Sequence, residues 1–262
     1  MLNEIVDKRR KQVAENKELF PLKLLERSIY FDTTCISLKE YLQKPDKSGI
    51  IAEFKRSSPS RGFINAYADV IETTISYMQA GASALSILTE PLYFSGNDND
   101  LTNARNTNFC PILRKDFIVD EYQVIESKAI GADAILLIAS ILNQDEIMRF
   151  SSLAFQLSLE VIFEVHDEED LKKIPDKNVI VGVNNRNLKT MKTDINISVE
   201  LADKIDKNLI KISESGLNTA EDFILLKNAG YSGFLIGEHF MSAPHPSVAL
   251  SNLIIEINSI EK

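Results

Sequence analysis

Three segments of this chain repeat one local design: Gly81-Ala-Ser-Ala-Leu-Ser-Ile-Leu, Gly131-Ala-Asp-Ala-Ile-Leu-Leu-Ile and Gly230-Tyr-Ser-Gly-Phe-Leu-Ile-Gly. In each, a glycine stands where a helix stops with positive φ, a short turn follows, and an apolar run begins. Similar runs elsewhere bring the strand candidates to eight, centred on 49–54, 83–88, 111–115, 133–138, 159–164, 178–183, 209–213 and 232–237. Short runs rich in β-branched residues, apolar at both alternations, suit a parallel sheet buried on both faces. Helical patterns separate them. Residues 68–80 put Val70, Ile71, Ile75 and Met78 largely on one side, 143–157 begin with a capping Asn143, 218–229 carry the cap-like Asn-x-x-Glu, and 245–257 close the series. Recurrent βα units with right-handed crossovers, eight in number, close into a barrel. An open doubly wound sheet would more often carry a Gly-rich loop after its first strand, and neither GxGxxG nor GxxxxGK[ST] occurs. The expected fold class is therefore α/β, a (β/α)8 TIM barrel with an N-terminal helical extension.

A chain of 262 residues fits one such barrel. Residues 1–47 fall outside the repeating units. They predict a charged helix over 3–16 with Leu2, Ile5, Val6 and Val13 as its apolar positions, and a short helix around Leu38, Tyr41 and Leu42. Pro21 and the 45–49 stretch punctuate the segment. It is too short to hold a core of its own, so it is read as an extension packed on a 48–262 barrel, a single domain overall. A net charge of −9 argues against nucleic acid or an anionic membrane as partner, though not against a small anionic substrate. Cys35 and Cys110 lie in no metal-ligand spacing, and three scattered histidines make a zinc centre unexpected. No apolar stretch approaches the roughly 20 residues of a membrane span, and the charged residues 1–11 carry no signal-like apolar stretch, so a cytoplasmic protein is expected. Monomer and homodimer both fit the acidic surface helices.

The strand ends carry the chemistry. Five runs finish in ionisable or amide side chains: Glu53 and Lys55, Lys115, Glu164, Asn184, and Glu214. Lys and Glu are rarely placed in apolar runs without partners, and polar groups at the carboxyl ends of parallel strands converge on one mouth. Glu53 and Lys55, two apart, point the same way. Two lysines and three glutamates at one rim could shift one another's pKa values and supply both acid and base. Arg186 follows the sixth strand, Ser215 and Gly216 the seventh, Gly237 and Glu238 the eighth. Barrels commonly bind phosphate with the loops after their last two strands, where glycine lets backbone N–H groups approach. Glu238 has the wrong charge for such a site, so its side chain is expected to turn away while its N–H serves the anion. The segment Ser57-Ser-Pro-Ser-Arg-Gly62 follows Lys55 as a substrate loop or a solvated connection. Phe94, Phe117, Leu136, Leu188 and Met191 lie at or just after strand ends, as rim packing or as an apolar wall for a flat ligand. His166 reads as a helix-cap or rim residue, because Glu164 holds the better position.

At these residues the chain closely resembles the indole-3-glycerol phosphate synthase family. The matching segments are Ile51-Ala-Glu-Phe-Lys-Arg-Ser-Ser-Pro-Ser-Arg-Gly62, Ala84-Leu-Ser-Ile-Leu-Thr-Glu90 with Tyr93-Phe94, Ile112-Leu-Arg-Lys-Asp-Phe117, Glu164-Val-His-Asp, Gly182-Val-Asn-Asn-Arg-Asn-Leu188, Ser213-Glu-Ser-Gly216 and Leu235-Ile-Gly-Glu238. Phe54 and Arg114 stand where the family often has other residues, without removing a functional group. The resemblance implies a substrate, 1-(2-carboxyphenylamino)-1-deoxyribulose 5-phosphate, that closes a ring and loses CO2 and then water. It implies Lys115 as general acid, and Glu164 and Lys55 as the pair serving dehydration, with Glu53 ordering the lysines. Asn184 and Glu214 would contact the ribulose hydroxyls or the amine, and Arg186 would organise that corner. Ser58, Ser215, Gly216, Gly237 and Glu238 would take the phosphate; Phe94, Phe117, Leu136 and Leu188 would face the anthranilate ring. The forming aromatic ring is its own electron sink, so no cofactor is expected. A Schiff-base aldolase, a sugar-phosphate isomerase and a non-catalytic phosphate binder are the competing readings.

Overall fold

The computed structural model describes residues 2–175, 178–187 and 190–261. Its eight barrel strands are β1 (Ile50–Phe54), β2 (Ala84–Leu88), β3 (Ile112–Lys115), β4 (Ala134–Ile138), β5 (Glu160–Val165), β6 (Ile180–Asn184), β7 (Ile210–Glu214) and β8 (Gly233–Ile236). All pair in parallel with their sequence neighbours, and β8 closes on β1 through the register Ile50↔Phe234 and Ala52↔Ile236. The repeated glycines behave as the sequence requires: Gly81, Gly131 and Gly230 have φ of 104°, 94° and 87°.

Strand alternation sorts the apolar residues into two cores. Outward-facing Ala52, Phe54, Leu85, Ile87, Ile135, Leu137, Phe163 and Val181 pack under the helices. Inward-facing Ile51, Leu113, Leu136, Ile162, Ile180, Ile212 and Leu235 fill the barrel. The inner core also contains Leu38 and Leu42 from the short helix Leu38–Gln43. That helix is capped by Ser37, whose hydroxyl bonds Glu160 at the start of β5. It plugs the amino end of the barrel and leaves the carboxyl end open.

The helices follow the expected spans with small shifts. Asn143 caps Gln144–Gln156 in a reciprocal capping box with Glu146. The helix Ala220–Asn228 is capped by Thr219 and not by Asn218: Asp222, and not Glu221, is the residue that reaches back, so the box lies one position later than the Asn-x-x-Glu pattern suggested.

The first helix, α1 (Leu2–Leu19), buries Ile5, Arg9 and Val13, a stripe with four-residue spacing. The buried charge was not expected from its sequence. Arg9 crosses to Asp116, just beyond β3, with Nε–Oδ1 at 3.0 Å and Nη2–Oδ2 at 2.5 Å. Asp116 also accepts from Thr89 Oγ1 at 2.6 Å, and Arg114 stands 3.2 Å from the same carboxylate while it pairs with Glu126 at 2.7 Å. Two buried arginines and their carboxylates thus hold α1 against the barrel. Removing one partner of such a pair strands the other, so Arg9→Ala is expected to cost about 3–5 kcal/mol. Urea denaturation measures this; a loss near that of an exposed ion pair would show that α1 is not anchored here.

Candidate active site

Strand register brings the polar strand ends together. Glu53 and Lys55 leave β1 on one side, and Lys55 Nζ lies 2.8 Å from Glu53 Oε1. Glu53 Oε2 accepts from Ser86 Oγ on β2 at 3.3 Å. Across the barrel, Lys115 Nζ sits 3.4 Å from Glu164 Oε2 and 3.6 Å from Glu214 Oε2. Alternation separates functional from structural neighbours: Lys115 faces the mouth while Arg114 is wholly buried among Glu126, Ser127 and Gln123 of the next helix. Likewise Asn184 lines the mouth, while Asn185 turns away to bond Ser198 and Ser213.

The inner cavity, about 140 Å³, is lined by Glu53, Lys55, Ser58, Phe94, Lys115, Phe117, Leu136, Glu164, Asn184, Arg186, Met191, Glu214, Ser215 and Glu238. A second cavity of about 380 Å³ adjoins it, bounded by Lys55, Arg61, Arg186, Ser215, Gly216, Gly237 and Glu238. Every site residue expected from the sequence lies on one or both of these walls, apart from Leu188, which is outside the described residues. Ser58 lines the inner cavity. Phe94 and Phe117 stand with ring centroids 6.3 Å apart. Phe94 is placed there by Glu90, which caps the turn Pro91–Phe94 by accepting three backbone N–H bonds.

The electrostatics of the mouth follow from burial opposed by charge. Burial alone would discharge Lys115, but Glu164, Glu214 and Glu53 outweigh it and hold the amine protonated well above the usual lysine range. Burial alone would also neutralise Glu53, and Lys55 and Lys115 reverse that, carrying it below the usual carboxylate range. Glu214 goes the other way. Burial dominates, Lys115 only partly offsets it, and Glu164 and Glu53 add repulsion, so the carboxyl is pushed up to about 8. Neither Glu214 oxygen has a hydrogen-bond partner among the described residues.

Two glycines make this crowding possible, and both act through space rather than through φ. A Cβ on Gly182 would lie 2.4 Å from Glu214 Oε1, and one on Gly237 would lie 2.5 Å from Glu53 Oε1. Gly237 therefore serves the carboxylate behind it as much as any anion in front. By contrast Ser215 and Gly216 are both left-handed, at φ 68° and 76°, and the Ser215 carbonyl is held by Asn185 Nδ2 at 3.0 Å. A non-glycine residue is uncommon in that region. No side chain caps the following short helix Glu238–Met241, so its leading N–H groups remain open to an acceptor.

The expectation for the Glu238 side chain is corrected. It does not turn away: Oε1 pairs with Arg61 Nε at 2.8 Å and Oε2 lies 3.5 Å from Arg186 Nη2. Two guanidiniums draw the carboxylate across the outer cavity. Arg61 was part of the loop singled out in the sequence but was not assigned to the site. Leu2 and Ile5 of α1, which also line the inner cavity, were not anticipated at all, because nothing in a charged helix announces which barrel end it will cover.

Barrel, converging acid–base groups and adjoining cationic cavity define a β/α-barrel enzyme acting on a small anionic substrate. The family model described as indole-3-glycerol phosphate synthase matches residues 2–253. The chain belongs to that family. It is 43% identical to a protein of that name from Bacteroides thetaiotaomicron, covering 97% of each chain. It is 41% identical to its namesake from Aliarcobacter butzleri, over 93% of this chain and 94% of that one. Among solved structures, the tryptophan synthase alpha subunit of Legionella pneumophila matches with a TM-score of 0.60 at 13% identity, over 84% of this chain and 96% of that one, a likeness of fold alone.

Two outcomes test the packing of the mouth. Gly182→Ala is expected to displace Glu214 and lower kcat by about 100-fold, as a misplacement near 1 Å can, with the circular-dichroism spectrum unchanged; near-normal kcat would mean Glu214 is free to move. Glu214 binds its proton more tightly folded than unfolded, so its contribution to stability is full below pH about 4 and is lost as pH rises through about 8. Glu214→Gln is therefore expected to raise the denaturation midpoint relative to the parent at pH 8, and to leave it nearly unchanged at pH 4.

Proposed function

We propose that this chain closes the indole ring: it converts 1-(2-carboxyphenylamino)-1-deoxyribulose 5-phosphate to indole-3-glycerol phosphate, with loss of CO2 and water, as a carboxy-lyase of tryptophan biosynthesis. Family membership supports the reaction. The observation that carries the assignment of roles is Lys115 Nζ set 3.4 Å from Glu164 and 3.6 Å from Glu214 beside an apolar wall.

Attack of the anthranilate ring carbon on the ribulose carbonyl turns its oxygen into an alkoxide, a base stronger than an amine. Lys115, kept as an ammonium by its neighbours, donates the proton. The carboxylate on the attacking ring carbon then leaves as CO2, and its bonding electrons return to the ring. Phe94, Phe117 and Leu136 would hold that ring away from water, which favours loss of a charged group. Dehydration expels the new hydroxyl with one proton and removes another from carbon; Glu164 and Lys55, on opposite sides of the cavity, would share these transfers, with Glu53 fixing Lys55. Asn184, Arg186 and Glu214 would hold the ribulose hydroxyls and amine, with Leu188 and Ser58 as further substrate contacts. The phosphate would lie in the outer cavity on the N–H groups of Ser215, Gly216, Gly237 and Glu238, facing Lys55, Arg61 and Arg186. A Schiff-base aldolase loses ground here, because an imine-forming lysine needs a neutral amine. Residues 1–47 and 48–262 would act as one domain in the cytoplasm, with no macromolecular partner needed for turnover.

The chain contains no tryptophan, so indole fluorescence reports product over a low background. Turnover of the carboxyphenylamino substrate is expected, and Lys115→Ala should lower kcat by at least about 100-fold while phosphate binding persists. Near-normal kcat in that variant would overturn the assignment of the acid.

A further inference from the structure

We propose that His166, as an imidazolium, is a positioning residue for Glu164, holding Oε1 so that Oε2 stays turned toward Lys115 and the reacting carbon. The inference rests on Glu164 serving the reaction as described above, and deepens it by one residue.

His166 follows β5 directly and stands two residues after Glu164, so both side chains leave the strand on one side. Its Nε2 lies 3.4 Å from Glu164 Oε1, and its Nδ1 lies 3.7 Å from Asp170 Oδ2. Asp170, in the helical turn Glu168–Leu171, is itself fixed: it accepts the His166 backbone N–H at 3.0 Å and lies 3.8 Å from Lys173 Nζ. The ring is mostly buried, with its side chain 14% exposed, and neither nitrogen has a hydrogen bond among the described residues. An imidazole that faces a carboxylate oxygen on each edge and no donor is favoured with both nitrogens protonated. Glu164 is then shared, Oε1 toward His166 and Oε2 toward Lys115 at 3.4 Å.

The charges around the ring act in the same sense. Burial would discharge it, but Asp170, Glu164 and the more distant Glu214 outweigh burial and raise its pKa above the ordinary histidine value. Lys115 and Lys173 stand beyond the two carboxylates. The ring also borders a cleft formed with Ser140, Asp167, Asn184 and Arg186. The imidazolium is present below the His166 midpoint and lost above it, so its hold on Glu164 weakens as pH rises.

Nitrogen-detected NMR of the intact protein tests the pairing without turnover. With only three histidines in the chain, loss of one signal in His166→Gln assigns the ring. The His166 midpoint is expected above the usual value of about 6.5, and to fall in Glu164→Gln. A midpoint that does not move in Glu164→Gln overturns the proposal, whether or not the enzyme turns over. Kinetically, His166→Gln is expected to lower kcat about 10- to 100-fold with little change in KM, and to remove the alkaline limb that the parent shows over the His166 titration. An unchanged pH profile, with the same thermal midpoint as the parent, would equally overturn it. Absence of turnover in the parent itself would instead count against the reaction assigned above, and would leave the NMR result to decide the pairing.

Discussion

A single ammonium group surrounded by buried carboxylates organises the open end of this barrel. Lys115 would lose its proton to burial were it alone, and Glu164, Glu214 and Glu53 would not tolerate one another without it. Their mutual dependence fixes where β1, β3, β5 and β7 must end relative to one another. It also explains the two glycines behind the carboxylates, since the room each carboxylate occupies is the room a Cβ would take. Charge at the mouth is thus bought with backbone space inside the barrel wall.

The cations are divided by function along the same line. Lys115 faces carboxylates, which suits the proton source proposed for it. Arg61 and Arg186 face Glu238 across the outer cavity, where they are pre-formed for an anion, with a carboxylate holding them meanwhile. If the phosphate lies there as proposed, it would replace one anion with another, which limits the net cost of desolvating the guanidiniums.

Much of this was legible in the sequence because parallel strands announce themselves twice, by continuous apolar runs and by the polar residue that stops them. Glu53, Lys115, Glu164, Asn184 and Glu214 were found that way, and all lie on the cavity. Gly216 and Gly237 were found from their place after the last two strands, yet the reason for Gly237 was half hidden: its tight neighbour, Glu53, is far away in sequence. Gly182 carries no sequence signal of its role for the same reason, since Glu214 is its tight neighbour. The cap at Thr219 was missed by one position, since Asn218 and Thr219 both suit a cap and only the reach of Asp222 decides between them. His166 was set aside on strand position, whereas its importance lies in what faces it from Asp170, a relation across a turn that spacing alone does not weigh.

The Arg9–Asp116 contact joins residues 107 apart. On a ribosome α1 is made before the barrel, and the carboxylate that seats it, on the segment next to Lys115, follows only after three strands. This helix therefore cannot take its seat until β3 is made, and until it does, Leu2 and Ile5 leave one wall of the inner cavity unfinished. Closing so long a loop costs chain entropy that grows only slowly with length, so the delay is set by the order of synthesis more than by the distance spanned. The reaction chamber is thus completed by a helix made before any of the strands it covers.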